Sequence, residues 1–472
     1  MLPDTEQTPQ VTSAGRRWAV LAVVLAADVL DLVDATITNI AAPAITEDLG
    51  GGPALIQWLG ASYALALGVL LVVGGRLGDK YGRRRLFLVG LTGFTLASLA
   101  CGLAPTPGTL VAARLVQGAF GALVIPQGFG ILGATWPREH IGKAFSLFGP
   151  VMGLSAVGGP VLAGFLIDAD LGGLGWRPMF LINLVLGGAA LLAAARLLPK
   201  DGGDPATAVD GLGSALLGAT MLGLLSGLIE GSANGWTATP VLLVAAGLAA
   251  FTLFCRRQTT AQNPLIQPSL LRNRGFTSGL VLGIVFFAAV SGLLYVISLF
   301  LQQGLGRSPS DTALGLLPLS AGIVIASIAC YGLIGRFGRT LVLAGLLITL
   351  TGTGWLLALT AATGTDTGTW ALVPPLLVIG IGMGTCFGTV YDVTIGDIAQ
   401  EEAGSASGSL GAVQQLANAI GAATVTTVFF KTAHDGPAHA MTVSLAVVAG
   451  VVLLCCPLVR LLPRKAPEAR PH

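Results

Sequence analysis

Three carboxylates recur every third residue in an otherwise apolar stretch: Asp28, Asp31 and Asp34 in VVLAADVLDLVDATITNIAAP. At about 100° per residue in a helix, all three fall within one sector of about 120° and share a face. An ionised carboxylate costs several kcal/mol in hydrocarbon, and three on one face also repel one another, so at least one is expected to carry a proton during part of a working cycle. Snorkelling to a headgroup region suits a helix end, not positions this far inside a run. The cation that belongs at their depth is Arg114. At about 1.5 Å per residue, Arg114 lies roughly 6 to 8 Å into its own run, with Asp34 about 12 Å, Asp31 about 16 Å and Asp28 about 21 Å below the same surface. Arg114 is therefore expected to pair with Asp34 and to change its hold when substrate or proton arrives.

The elements that must position these groups are membrane-spanning helices. The 472-residue chain is 53% hydrophobic and only 10% charged, against roughly 25% charged in a soluble domain. The apolar runs are long and unbroken, not alternating, which selects helices of about 20 residues over barrel strands. Fourteen such runs are expected, the first starting at Trp18 and the last at Met441. An even number puts both termini on one side, here the cytoplasmic side. Of the 25 lysines and arginines, only Arg177, Arg307 and Lys431 then fall in outside loops and only Arg114 within a span. That asymmetry follows the positive-inside rule, and one missed span would scatter the cations over both faces. The first run is too long for a signal-peptide core and has no small-residue cleavage site after it, so it is read as a retained span. The six cysteines lie in or beside apolar runs without metal-ligand spacing and read as packing residues, with no metal site expected.

Between the second and third runs sits Gly75-Arg76-Leu77-Gly78-Asp79-Lys80-Tyr81-Gly82-Arg83-Arg84-Arg85, a short basic turn. Its Gly75, Asp79, Gly82, Arg83 and Arg84 resemble the signature loop between helices 2 and 3 of the major facilitator superfamily of transporters. The string Asp34-Ala35-Thr36 to Pro43 resembles the first-helix motif of that superfamily's fourteen-helix drug/proton antiporters, with Asp34 at the motif aspartate; Asp28 and Asp31 lie outside it. Arg114, Gln117, Gly118 and Gly121, with Pro126 beyond, resemble the fourth-helix motif whose arginine is implicated in proton coupling. Gly153, Gly159, Pro160 and Gly164 resemble the fifth-helix motif that separates exporters from uptake members, and Trp176 to Asn183 resembles the start of helix six. After the tenth run, Gly335-Arg336-Phe337-Gly338-Arg339 repeats the Gly82-Arg83 half of the turn without its acidic member.

The resemblance implies an all-α membrane protein of the major facilitator fold: two six-helix bundles, 18–200 and 274–462, with a two-helix insertion in 201–273 and cytoplasmic tails 1–17 and 463–472. It implies proton-coupled efflux of drugs or antibiotics, lipophilic or cationic, from a bacterium across its cytoplasmic membrane by alternating access. Asp34, Asp31, Asp28 and Arg114 would couple protons to substrate. The Gly75 to Arg84 turn would latch the two halves on the cytoplasmic side, and Gln117, Asp392, Gln415 and Asn418 are candidates to line the pathway. The expected partners are a small-molecule substrate, protons and the lipid bilayer, with the chain a monomer. The net charge of +2 gives no reason to expect a nucleic acid. No Gly-x4-Gly-Lys-Ser/Thr loop for ATP and no His-Glu-x2-His zinc pattern occurs, so a proton gradient is the expected drive and no cofactor is expected. An uptake permease of the same fold is the main alternative; a membrane-embedded enzyme or receptor lacks a reacting constellation.

Overall fold

The computed structural model describes residues 14–136, 141–205, 208–330, 333–395, 398 and 403–463. The apolar runs are helices throughout: α1 (Ala14–Leu49), α2 (Gly52–Tyr81), α3 (Arg83–Gly102), α4 (Pro107–Thr135), α5 (Ile141–Asp168), α6 (Pro178–Leu197), α7 (Gly211–Asn234) and α8 (Ala238–Thr260). A short α9 (Pro268–Arg272) leads into α10 (Arg274–Leu299), α11 (Pro309–Gly315), α12 (Leu317–Cys330), α13 (Ile334–Phe337), α14 (Arg339–Thr363), α15 (Thr369–Ile395), α16 (Ala403–Thr432) and α17 (Pro437–Leu458). Helix starts carry the expected chemistry. Thr106 and Thr109 form a reciprocal capping box ahead of Pro107, and Ser308 and Asn273 accept from Asp311 and Phe276 amides.

Among the described residues, 11 helical stretches are long and apolar enough to cross a membrane. Helices α1, α5 and α16 are long but are not among them. In α1 the aspartate row interrupts the apolar run before Asn39, in α16 serine, glutamine and asparagine dilute it, and most side chains in the first half of α5 lie outside the described residues.

Helices α1 to α6 pack on one another, α2 and α3 against α4 and α1 against α5, around a core that includes Val24, Leu67, Phe87 and Phe94. Helices α10, α12, α14, α15, α16 and α17 form a second group. The α7 and α8 pair closes on itself at Gly223, whose missing side chain leaves its position 2.8 Å from Gly247 Cα. That pair rests on α2 and α16, across the seam between the groups.

The groups also meet at the end where α1 finishes, here called the distal end. Gln302, in a π-turn (Phe300–Gly304) closing α10, donates to the Ile40 carbonyl of α1 at 3.3 Å. The Ser310 amide and hydroxyl donate to Asp168 at the end of α5. At the same end Asp48 accepts from the Trp176 indole and Arg177, both at 2.9 Å, and these bonds hold its carboxyl below the usual range. A depressed carboxyl stabilises above the unfolded value and loses that contribution as pH falls through its folded value. The stability advantage of the wild type over Asp48→Asn is therefore expected to be full at neutral pH and to decline only once the pH drops below about 4, as read by thermal unfolding across pH.

Candidate functional site

The first four helices converge on one buried ion pair. Arg114 on α4 and Asp34 on α1 are 1% and 0% exposed, and the guanidinium donates directly to Asp34 Oδ2. A buried pair is tolerable only when its remaining lone pairs and protons are met. Gln117, one turn after Arg114, accepts from Arg114 Nη1 at 2.8 Å and donates to Asp34 Oδ1 at 2.8 Å. Asn183 on α6 donates to the same oxygen at 2.7 Å, and Ser98 on α3 accepts from both amides. Asp34 is thus held by three donors from two helices. Arg114 also reaches the Leu59 carbonyl at 3.4 Å and lies over the Tyr63 ring, 4.4 Å from its centroid.

The other two aspartates sit apart from this bracket. Asp31, half-buried, accepts from the Tyr63 hydroxyl of α2. Asp28 is buried, and neither carboxylate oxygen has a hydrogen-bond partner among the described residues. Of the candidate pathway residues, Gln117 differs from expectation: it is fully buried inside the ion-pair bracket because both ends of its amide are occupied there. Gln415 and Asn418 are half-buried on α16, with Asn418 donating to Gln415 at 3.5 Å. The Asp392 side chain and the surroundings of Gly153 lie outside the described residues.

The fifth-helix glycines are contact points. A Cβ at Gly159 would overlap Thr36 of α1, and one at Gly164 would lie 2.6 Å from Ser310 Cα and 2.8 Å from the Pro309 carbonyl oxygen. Pro160 between them is half-buried. Gly118 brings α4 against the Tyr63 backbone, and Gly121 leaves room for Asp31 and the Tyr63 hydroxyl.

Residues 24–422 match the model of the Major Facilitator Superfamily. The chain belongs to that superfamily. It is 43% identical to the probable actinorhodin transporter of Streptomyces coelicolor, over 91% of this chain and 76% of the relative. It is 34% identical to the puromycin resistance protein pur8 of Streptomyces alboniger (96% and 93%) and 32% to the tetracenomycin C resistance and export protein of Streptomyces glaucescens (88% and 76%). The fold matches solved structures of a D-xylose-proton symporter (TM-score 0.68, 15% identity, 95% and 98% covered) and a POT family transporter in complex with 5-aminolevulinic acid (0.69, 13%, 94% and 97%). This major facilitator chain is therefore a multi-pass membrane transporter rather than an enzyme, related to antibiotic exporters and resistance proteins.

The superfamily's signature turn, the expected latch, makes its bonds among the described residues close at hand. Asp79, in the last turn of α2, accepts from Arg83 at the start of α3 at 3.0 Å, and Arg83 donates to the Gly130 carbonyl of α4 at 2.8 Å. Arg84 donates to the Ala195 carbonyl of α6 at 2.6 Å, and Asp201 accepts the Arg83 and Arg84 amides. Among the described residues these bonds all stay within α2, α3, α4, α6 and the segment after α6. In this conformation the turn's bonds among the described residues staple the first group. Gly75 rests on Pro126 of α4. Gly82, at φ 95, holds a backbone that a side chain resists. Gly82→Ala is expected to lower stability by about 1 to 3 kcal/mol, measured as a fall in Tm in detergent. The second turn has the counterpart Gly338 at φ 44, but no acidic residue to match Asp79, as its sequence anticipates.

Sequence reasoning missed Tyr63, Ser98 and Asn183 as members of the site. Asn183 enters the sequence reading only through the stretch resembling the start of helix six. Its signal is an amide alone in an apolar helix.

Proposed function

We propose that this transporter is a proton-coupled exporter of antibiotics or related small molecules, working by alternating access in a bacterial cytoplasmic membrane. The single observation carrying this reading is the buried pair of Arg114 and Asp34, bracketed by Gln117 and Asn183 and joined through Tyr63 to Asp31. Such a pair strengthens or loosens with the charge of its surroundings, and a change of protonation next to it is a means of coupling. The export direction draws on relatives named for export and resistance and on the glycine contacts of α5. Export would carry substrate from the α1 N-terminal side, where the basic turns cluster, to the distal end.

In the same reading α1, α5 and α16 also cross, giving fourteen spans with both termini inside. Helices α1 to α6 and α10 to α17 act as two bundles, and α7 and α8 are an insertion across their seam. The chain works as a monomer in the bilayer, with protons and a small-molecule substrate as partners and no cofactor. Ethidium efflux from expressing cells, with and without a protonophore, tests this. Efflux that a protonophore abolishes and Asp34→Asn strongly reduces is expected; ethidium accumulation above that of control cells would instead indicate an uptake permease.

A further inference from the structure

The three aspartates of α1 do not stand in equivalent surroundings. Asp34 has its charge answered by Arg114 and its oxygens met by Gln117 and Asn183. A carboxylate so supplied with donors has no use for a proton, because protonation would give up a charge-assisted bond and strand a buried guanidinium. Asp28 is the reverse. It is 7% exposed, and among the described residues neither oxygen meets a donor. A carboxylate in that position is costly as an anion and cheap as an acid. It lies one helical turn from Asp31, so the two carboxyls are neighbours on one face.

Asp31 has one protein partner among the described residues, the Tyr63 hydroxyl, and that same tyrosine presents its ring to Arg114 at 4.4 Å. Gly121 on α4 clears the space for this contact: a Cβ there would lie 3.0 Å from both Asp31 Oδ1 and the Tyr63 hydroxyl. The titratable and charged groups facing the pair are Asp34 on α1, Tyr63 on α2 and Arg114 on α4. Helices α5 and α6 carry such groups only near their ends, Lys143, Asp168 and Arg196; α10 and α11 offer Arg274, Tyr295 and Asp311. Among these helices Arg114 is the one cation in mid-span.

We propose that Asp28 and Asp31 form the proton-carrying pair of this transporter, that Asp34 stays ionised against Arg114, and that Tyr63 is the positioning residue that relays the state of the pair to Arg114. This rests on the proton-coupled reading above and assigns its parts. A proton held by the pair neutralises Asp31, weakens the bond from the Tyr63 hydroxyl and frees the ring to move under Arg114. The proton leaves by the reverse step, with Tyr63 again donating to an anionic Asp31.

Infrared difference spectroscopy of the purified full-length protein, following through a pH titration the C=O stretch of carboxyls that stay protonated above about pH 5.5, tests the assignment without a substrate. The wild type is expected to show this band, Asp34→Asn to retain it, and Asp28→Asn to lose it, with Asp28→Glu restoring it as a check on folding. Tyr63→Phe, which keeps the ring over Arg114, is expected to move the pH at which the band appears. Loss of the band in Asp34→Asn with retention in Asp28→Asn overturns the assignment, as does a wild type with no protonated-carboxyl band above about pH 5.5, where solvated carboxyls are already ionised. A band whose pH profile ignores Tyr63→Phe removes the relay. The transport reading is judged separately, by pH-driven ethidium movement in wild-type proteoliposomes; its failure there would leave the infrared pattern to stand or fall by itself.

Discussion

Arg114→Ala is expected to abolish efflux and to cost about 3 to 5 kcal/mol of stability, the usual penalty for leaving one partner of a buried ion pair alone. The stranded group is Asp34, which is fully buried and retains only the Gln117 and Asn183 amides. The double variant Arg114→Gln with Asp34→Asn removes both charges while keeping hydrogen-bonding side chains at both positions, and is expected to recover much of the stability but none of the efflux. Thermal unfolding and ethidium efflux, measured on the same preparations, separate the two effects. Wild-type efflux from the double variant would reduce the pair to a structural contact. Arg114→Lys keeps the charge but loses the planar fork that reaches Asp34, Gln117 and the Leu59 carbonyl together. Its transport is expected to fall and to change its pH dependence; an unchanged rate and profile would remove Arg114 from coupling.

Gly164→Leu is expected to lower transport by about tenfold or more while leaving the protein folded. The position a Cβ would take at Gly164 is bounded by the backbone of Pro309 and Ser310, not by a side chain that could swing away. Overpacking of this kind costs about 1 to 3 kcal/mol. Here the cost falls only on the conformation in which α5 and α11 touch, so populations shift by roughly 5- to 150-fold away from distal closure. A cysteine at Thr312, which is fully buried beside this contact, reports the shift in a background lacking the six native cysteines. Labelling by a membrane-impermeant maleimide should be slow in the parent and fast in Gly164→Leu. Equal labelling rates would mean that the contact does not gate the distal end.

Much of the architecture was legible in the residues because the bilayer imposes one rule on every span. Helices of about 20 apolar residues must satisfy their own backbones, so composition and run length alone set the class and order of elements. The basic stretch Gly75 to Arg84 announced the junction of α2 and α3 but not its brevity: Gly75 to Tyr81 remain helical in α2, Arg83 and Arg84 already belong to α3, and Gly82 alone makes the break. The depth arithmetic that matched Arg114 to Asp34 worked because rise per residue is nearly constant in a helix.

Rotation and lateral contact are not written in the rise. Whether Gln117 faced a pathway or a neighbour depended on how α4 turns against α1, α3 and α6, and the close approach of those helices put its amide between Arg114, Asp34 and Ser98. Tyr63 could be joined to Asp31, and the arginines of the signature turn to the carbonyls of α4 and α6, only once separate helices had been brought together. The sequence by itself therefore determined the helices, their order and the shared height of Arg114 and Asp34. The tertiary structure decided which aspartate is answered by donors and which is left bare, because that depends on side chains arriving from other helices.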